Sequence, residues 1–397
     1  MKVFHFTEQP YSPAWTEQPG SLRITLPNKA CDPKVAGDLL HRYYDEWQLA
    51  DELGFDIMVN EHHSTATCMA STVIVTLSVL ARITKRARLL VLGYPLAHRP
   101  DPLRAAEELS TIDVISRGRL NMGFVKGVPS EFTPSNANPF GVEERFWEAL
   151  DFIIKAMTTH DAPFNWESEN FHYRQVNVWP RAYQQPHPPI WSTTGSKHNA
   201  QRLGERGYTM ATLGTGYATK PLYDAYREAY RNKFHREPPP DRFAYLGLVA
   251  VGETEAEARR RGEMVASYLR SLPRTPAPFR NPPGYVSVDA YVQMMKGKTP
   301  ERSFTKEGRA INMMTGSVQD LIDAGILFCG TPDQVYDQIT DFAVSCGGMG
   351  NLLSMTHAGP MSHEETVANL TLFAKEVLPR LKDYRQANET AAAAAAE

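Results

Sequence analysis

The stretch ADELGFDIMVNEHHS, residues 50–64, holds the end of one pattern, a stop, and the whole of a second pattern. Upstream of it, residues 36–53 place Leu39, Tyr43, Trp47 and Ala50 at helical spacing, so one apolar face runs along the segment. Leu53-Gly54 supplies a helix stop, because glycine takes the left-handed conformation that ends helices without steric cost. An apolar run, FDIMVN at 55–60, starts at once and gives out at Glu61, His62 and His63. Helix, glycine, buried strand and polar end make a unit whose repetition decides the fold.

The unit repeats. Candidate strands are VFHF (3–6), FDIMVN (55–60), RLLVLGY (88–94), RLNMGFV (119–125), PPIWST (188–193), YTMATL (208–213), RFAYLGLVAV (242–251) and NLLSMTH (351–357). Helical patterns over 36–53, 70–84, 102–116, 141–158, 197–206, 218–234 and 254–271 follow the first seven, 332–346 precedes the last strand and 363–381 follows it. Alternating strands and helices predict an α/β fold, a closed (β/α)8 TIM-type barrel with insertions. The competing architecture, a doubly wound open sheet, is disfavoured because no GxGxxG turn follows any candidate strand. Residues 1–385 read as a single domain and 386–397, ending ETAAAAAAE, as a low-complexity tail. Extra length falls at 7–35, which is Pro-rich, at 159–187, where FHYRQVNVWP suggests a small hairpin, and at about 272–330. Long irregular segments of the last kind are commonly lids or binding loops.

Composition narrows the function classes. Of 397 residues 42% are hydrophobic and 22% charged, which suits a globular chain with a substantial core. The net charge of −3 and the lack of any long Lys/Arg block exclude the electrostatic footprint of a nucleic-acid binder. Cys31, Cys68, Cys329 and Cys346 are far apart, a pattern of reduced, mostly buried thiols rather than a disulfide framework or a structural zinc site. MKVFHFTEQPY is no secretory apolar region, and VIVTLSVLARI is too short and too polar to span a bilayer. A soluble, cytoplasmic protein is expected.

In a barrel of this kind the active site is built at the carboxyl ends of the strands. The segment Ser192-Thr193-Thr194-Gly195-Ser196-Lys197-His198-Asn199 opens a helix with hydroxyls and free N–H groups. It is either a phosphate site or a plain helix N-cap. Glu61-His62-His63 admits three readings. Adjacent strand residues face opposite ways, so a metal would need ligands from elsewhere. A proton-transfer role for one imidazole is more economical. Simple hydrogen bonding to nearby backbone is the third.

Taken together, these segments resemble the bacterial luciferase-like family of flavin-dependent oxidoreductases. ADELGFDIMVNEHHS is similar to that family's second-strand signature, and LAHRPDPLRAAEELSTIDVISRGRLNMGFVKG (96–127) to its most recognisable block. QQPHPPIWSTTGSKHNAQRLGERG resembles the approach to its phosphate loop, and GTPDQVYDQITDF its penultimate helix. The resemblance implies a barrel that binds FMN or, in one branch, the deazaflavin F420. It places His62 beside the flavin with Glu61 behind it, and Gly93 and Tyr94 under the ring, where the family often has a non-proline cis peptide. Lys126 and Val128 fall at phosphate- and ring-proximal positions, and Thr194, Gly195, Ser196 and Asn199 at the phosphate turn. No metal is implied. Two departures stand out: Asp101-Pro102 replaces the usual His-Pro, with His98 displaced upstream, and Lys126 replaces an Arg found in relatives.

The activity so implied is that of a two-component monooxygenase. A separate NAD(P)H-dependent flavin reductase supplies reduced FMN, which reacts with O2 through a C4a-peroxyflavin to oxygenate a small, hydrophobic organic substrate. Absence of a dinucleotide fingerprint agrees with hydride entering elsewhere. The alternatives are an F420-dependent oxidoreductase, for which Lys197 and His198 are the only evident extra basic groups, and a non-catalytic flavin-binding protein. Phe6, Tyr11, Trp15 and Trp191 either line an apolar substrate pocket or pack in the core. A homodimer is expected from the resemblance.

Overall fold

The structure, a computed structural model, describes residues 1–17, 20–286, 288, 291, 292, 296 and 303–384. The tail expected at 386–397, and parts of the expected lid between 287 and 302, lie outside the described residues.

Eleven strands are described: β1 (Lys2–Phe6), β2 (Asp56–Val59), β3 (Leu89–Pro95), β4 (Leu120–Val125), β5 (Phe164–Glu167), β6 (His172–Val176), β7 (Ile190–Thr193), β8 (Thr209–Leu213), β9 (Phe243–Val251), β10 (Leu327–Gly330) and β11 (Asn351–Met355). The parallel order β9-β11-β1-β2-β3-β4-β7-β8 closes on itself because β8 also pairs with β9. Eight strands thus form the expected (β/α)8 barrel. β5 and β6 make the antiparallel hairpin expected in the fourth crossover. β10 was not expected; it pairs with Leu248–Val251 of β9, beyond Leu246, where the pairing of β9 with β8 ends.

The helices are α1 (Pro13–Glu17), α2 (Pro33–Leu53), α3 (Val73–Ile83), α4 (Pro102–Ile115), α5 (Val142–Thr158), α6 (Lys197–Arg206), α7 (Lys220–Phe234) and α8 (Glu255–Ser271), with shorter ones after them and then Pro332–Ser345, His363–Glu376 and Leu378–Asp383. α2 starts three residues before its apolar spacing does. The Asp32 carboxylate accepts from the N–H groups of Lys34 and Val35, and Pro33 fits the first turn. It stops at Gly54, whose φ of 89° is left-handed. The helix expected over 363–381 is broken near Val377, since Pro379 has no N–H for the preceding turn.

Strand alternation produces two cores. Phe4, Met58, Leu90, Leu92, Trp191, Leu246 and Leu353 fill the barrel, while Val3, Ile57, Val91, Phe124 and Leu352 face the helices. No helix among the described residues is long and apolar enough to cross a membrane. All four thiols are free, with Cys31 exposed and the others buried.

Candidate active site

A cavity of about 790 Å3 opens at the carboxyl ends of the strands. Its wall takes residues from the ends of β1 to β4, from β7 to β9 and from α8. Thr275, Tyr285, Val286 and Met313, from the expected lid region, also line it. The position agrees with the rule that such barrels carry their sites at this face.

His62 lies in the wall just past β2, and two carboxylates hold it. Its Nδ1 is 2.8 Å from Glu131 Oε1, and its Nε2 is 3.7 Å from Glu8 Oε2. Burial pulls the imidazole pKa down, but the Glu8 and Glu131 charges and the Glu131 hydrogen bond outweigh it, and the net displacement is upward from 6.5. For Glu131, burial pushes the other way; the His62 charge and hydrogen bond prevail and hold the carboxyl below its ordinary range. Glu8 is itself fixed, accepting from Tyr268 Oη at 2.9 Å and Asn60 Nδ2 at 3.1 Å.

Glu61 does not back His62, and here the expectation is corrected. Both of its carboxylate oxygens accept from one Arg99 nitrogen at 2.8 Å. They also accept from the Val73 N–H, which opens α3, and lie 3.1 Å from His63 Nε2. Glu131 thus holds the place beside His62 that the resemblance gave to Glu61. His63 turns toward Glu61 and toward the buried His98, whose ring is 6.5 Å away. Burial lowers the pKa of His98 to about 4, against a smaller upward pull from Glu131.

Gly93 lines the cavity, and the Leu92–Gly93 peptide is cis. A Cβ there would collide with the Val125 side chain, so only glycine fits without movement. Tyr94 does not line the cavity. Leu92 pairs with Gly123 and Tyr94 with Phe124, so Gly93 is an extra residue in β3. One inserted residue reverses the facing of the rest of the strand. Tyr94 therefore points among the helices, donating to Glu108 at 2.6 Å beneath the Arg99 guanidinium.

The other end of the cavity is basic. Thr194, Gly195, Ser196 and Asn199 line it at the start of α6, with Lys126 and Val128 adjoining from the end of β4. Ser196 caps α6 by accepting from the Asn199 N–H at 3.3 Å, so the cap and the phosphate readings describe one turn. Lys126 Nζ at 3.7 Å, Arg202 at 3.7 Å and His198 at 3.9 Å share the Glu143 carboxylate, and Asp151 and Glu144 also act on Arg202. Among the described residues the buried Asn199 side-chain carbonyl has no partner, and none stands within 4 Å of a Cβ built at Gly195. A rotatable amide, open backbone, the Lys126 ammonium and a helix N-terminus together fit the phosphate of FMN.

Of the expected aromatic lining only Phe6 reaches the cavity. Trp191 packs edge-on against Phe4 within the barrel, and Tyr11 and Trp15 join a separate small cluster with Leu22 and Ala66. Asp101 caps α4, accepting from the N–H groups of Leu103 and Arg104. Glu8, Arg23, Glu131 and Tyr268 went unnoticed in the sequence. Glu131 lies in the turn directly after the matched block ending at Gly127, and that closeness was the available signal.

Residues 23–348 match the profile of the family described as luciferase-like monooxygenase. An uncharacterized protein of Sinorhizobium fredii is 30% identical over 196 residues, 48% of this chain and 56% of that protein, so the match spans little more than half of the relative. 2,5-Diketocamphane 1,2-monooxygenase 2 of Pseudomonas putida is 24% identical over 362 residues, 84% of this chain and 92% of that protein. The oxygenating constituent of 3,6-diketocamphane monooxygenase from Pseudomonas putida, a type II Baeyer–Villiger monooxygenase solved in complex with FMN, superposes with a TM-score of 0.69. It covers 96% of this chain and 98% of its own at 20% identity, a likeness of fold. With a family profile matched over most of its length and a closed barrel whose strand ends carry the site, the chain belongs to the luciferase-like monooxygenase family.

Proposed function

We propose that this protein is the oxygenase component of a two-component system, one that uses reduced FMN and O2 to oxygenate a small organic substrate. The observation that carries the reading is the pairing of an imidazole under control of two carboxylates with a basic, hydroxyl-rich turn across one cavity. Lys126, Ser196, Asn199 and the backbone at Gly195 would hold the phosphate, with Gly93 and Val128 against the ring. Bound flavin supplies the two-electron chemistry by which O2 is activated. The chain's own part is positional. Nδ1 of His62 donates to Glu131, which leaves Nε2 to hold or release a proton at the cavity. Phe6, Met58, Leu92, Leu246 and Leu248 make an apolar wall that keeps water from the reacting groups.

The Pseudomonas putida protein of like fold is an oxygenating constituent, which supports a separate flavin reductase as the source of reducing equivalents. For F420 the expected basic helpers are poorly placed: Lys197 and His198 are exposed and absent from the cavity wall.

The test is anaerobic mixing of the protein with reduced FMN, then addition of oxygenated buffer. Reoxidation distinctly slower than that of free flavin is expected, together with loss of this protection in His62→Ala. Reoxidation at the free rate, with FMN binding independently established, overturns the oxygenase reading. Binding of F420 in preference to FMN would favour a hydride-transfer enzyme instead.

A further inference from the structure

Arg23 is a buried cation that has no partner among the described residues. It is 5% exposed and lines the cavity, yet among the described residues its guanidinium makes no hydrogen bond and no ion pair. Its backbone is clamped on both sides. Ile24 N–H donates to Ser64 at 2.6 Å and Ala66 N–H to Leu22 at 2.9 Å, so Arg23 pairs with Thr65 in the loop after His62. On the other side Leu22 N–H donates to the Arg274 carbonyl at 3.2 Å. The side chain is therefore presented to the cavity from a fixed strand-like segment. Glu8, the carboxylate on this side, already accepts from Asn60 and Tyr268.

A guanidinium in a low-dielectric pocket attracts an anion strongly, and its planar fork matches a carboxylate through two parallel hydrogen bonds. The phosphate turn is on another arc of the ring, at β4, β7 and α6, with its own cations. The same cavity wall carries apolar side chains, among them Met58, Leu248, Leu269 and Leu272. The geometry points to a substrate that is a small carboxylic acid with an apolar body, its carboxylate received by Arg23 and its hydrocarbon by this wall. The inference rests on reading the cavity as an oxygenase site.

The full chain, saturated with oxidised FMN, is titrated calorimetrically with matched probes: benzoate against benzamide, and octanoate against octanamide. Wild type should bind each acid roughly tenfold or more tightly than its amide, Arg23→Met should erase the difference, and Arg23→Lys should keep part of it. FMN affinity should be equal in all three proteins. Acids bound no better than amides by wild type, including no binding of either, overturns the inference without any variant. So does an acid preference that survives Arg23→Met, or an FMN affinity that falls in Arg23→Met while riboflavin affinity does not, since Arg23 would then serve the cofactor phosphate. Failure of wild type to bind FMN strikes the oxygenase reading and this inference with it; loss of acid preference with FMN bound strikes the inference alone.

Discussion

His62 Nδ1 and Glu131 Oε1 stand 2.8 Å apart across 69 residues of chain, and the carboxylate is almost wholly buried. Each partner moves the other's proton equilibrium toward the charged form, against the burial that opposes charge in both. The pair therefore gives the cavity an imidazolium that persists to higher pH than a free histidine.

Replacing Glu131 by Gln keeps the volume and removes the charge. Burial then faces only Glu8, so the His62 midpoint should fall, which proton–nitrogen correlation spectra of the imidazole can track directly. The wild-type stabilisation from this pair is complete below the ordinary histidine pKa and fades as pH rises through the elevated folded value. Turnover should drop roughly tenfold or more if His62 moves a proton at the cavity. An unmoved His62 midpoint in Glu131→Gln would show that the carboxylate does not set its charge.

Glu61 has a different task, and its loss should be felt in stability. Its buried carboxylate holds Arg99 and the first N–H of α3. Glu61→Ala takes the acceptor from the Val73 N–H and leaves the partly exposed Arg99 with Glu108 at 4.0 Å, a change that costs about 1–3 kcal/mol. Urea unfolding should register that loss while FMN affinity in the folded protein changes little. A variant as stable as wild type, with impaired flavin chemistry, would return Glu61 to the role that the resemblance gave it.

That contrast marks how much was legible beforehand. The barrel was, because its signals are local: Gly54 ends α2 and an apolar run starts where that helix stops, although Asp32-Pro33, which opens α2, was not read. The hydroxyl-rich segment was legible as the opening of α6, where Ser196 caps the helix. Tyr94 was misplaced because alternation assumes an unbroken ladder, and the extra residue at Gly93 breaks it. Glu131 and Arg23 carry no periodic signal. One sits in a three-residue turn and the other in a Pro-rich insert, and only closure of the barrel brings both beside His62. β10 was hidden by its length, four residues directly ahead of a helix.

Acid should destabilise the fold before carboxylates begin to titrate. Burial lowers the pKa of His5 to about 3 and that of His98 to about 4, and carries His357 well below its ordinary value. Below about pH 6.5 the unfolded chain binds protons at these positions and the folded chain does not, so stability falls by up to about 1.4 kcal/mol per pH unit for each. His62 contributes with the opposite sign, as do Glu46 and Asp56, whose carboxyl pKa values burial raises, but none of these offsets three imidazoles held far below their ordinary value. Denaturant melts of wild type between pH 7 and 5 should show the decline, and His98→Gln should flatten it by the share of one group. Parallel profiles for the two proteins would mean that His98 takes up a proton without penalty in the fold.

Lys126 offers the cleanest separation of phosphate from ring. Its ammonium is about a third exposed and 3.7 Å from Glu143, so solvent screening reduces its contribution. Lys126→Met should weaken FMN roughly fivefold to tenfold at low ionic strength, with a smaller effect at high salt. Riboflavin, which has no phosphate, should bind both proteins alike. Glu143→Gln should act in reverse, because it frees Lys126, Arg202 and His198 from the carboxylate they share. A gain of a few-fold for FMN and none for riboflavin is expected there. Flavin fluorescence quenching measures all of these affinities. Equal losses of FMN and riboflavin in Lys126→Met would place the ammonium at the isoalloxazine ring, and the phosphate would then rest on the α6 turn without it.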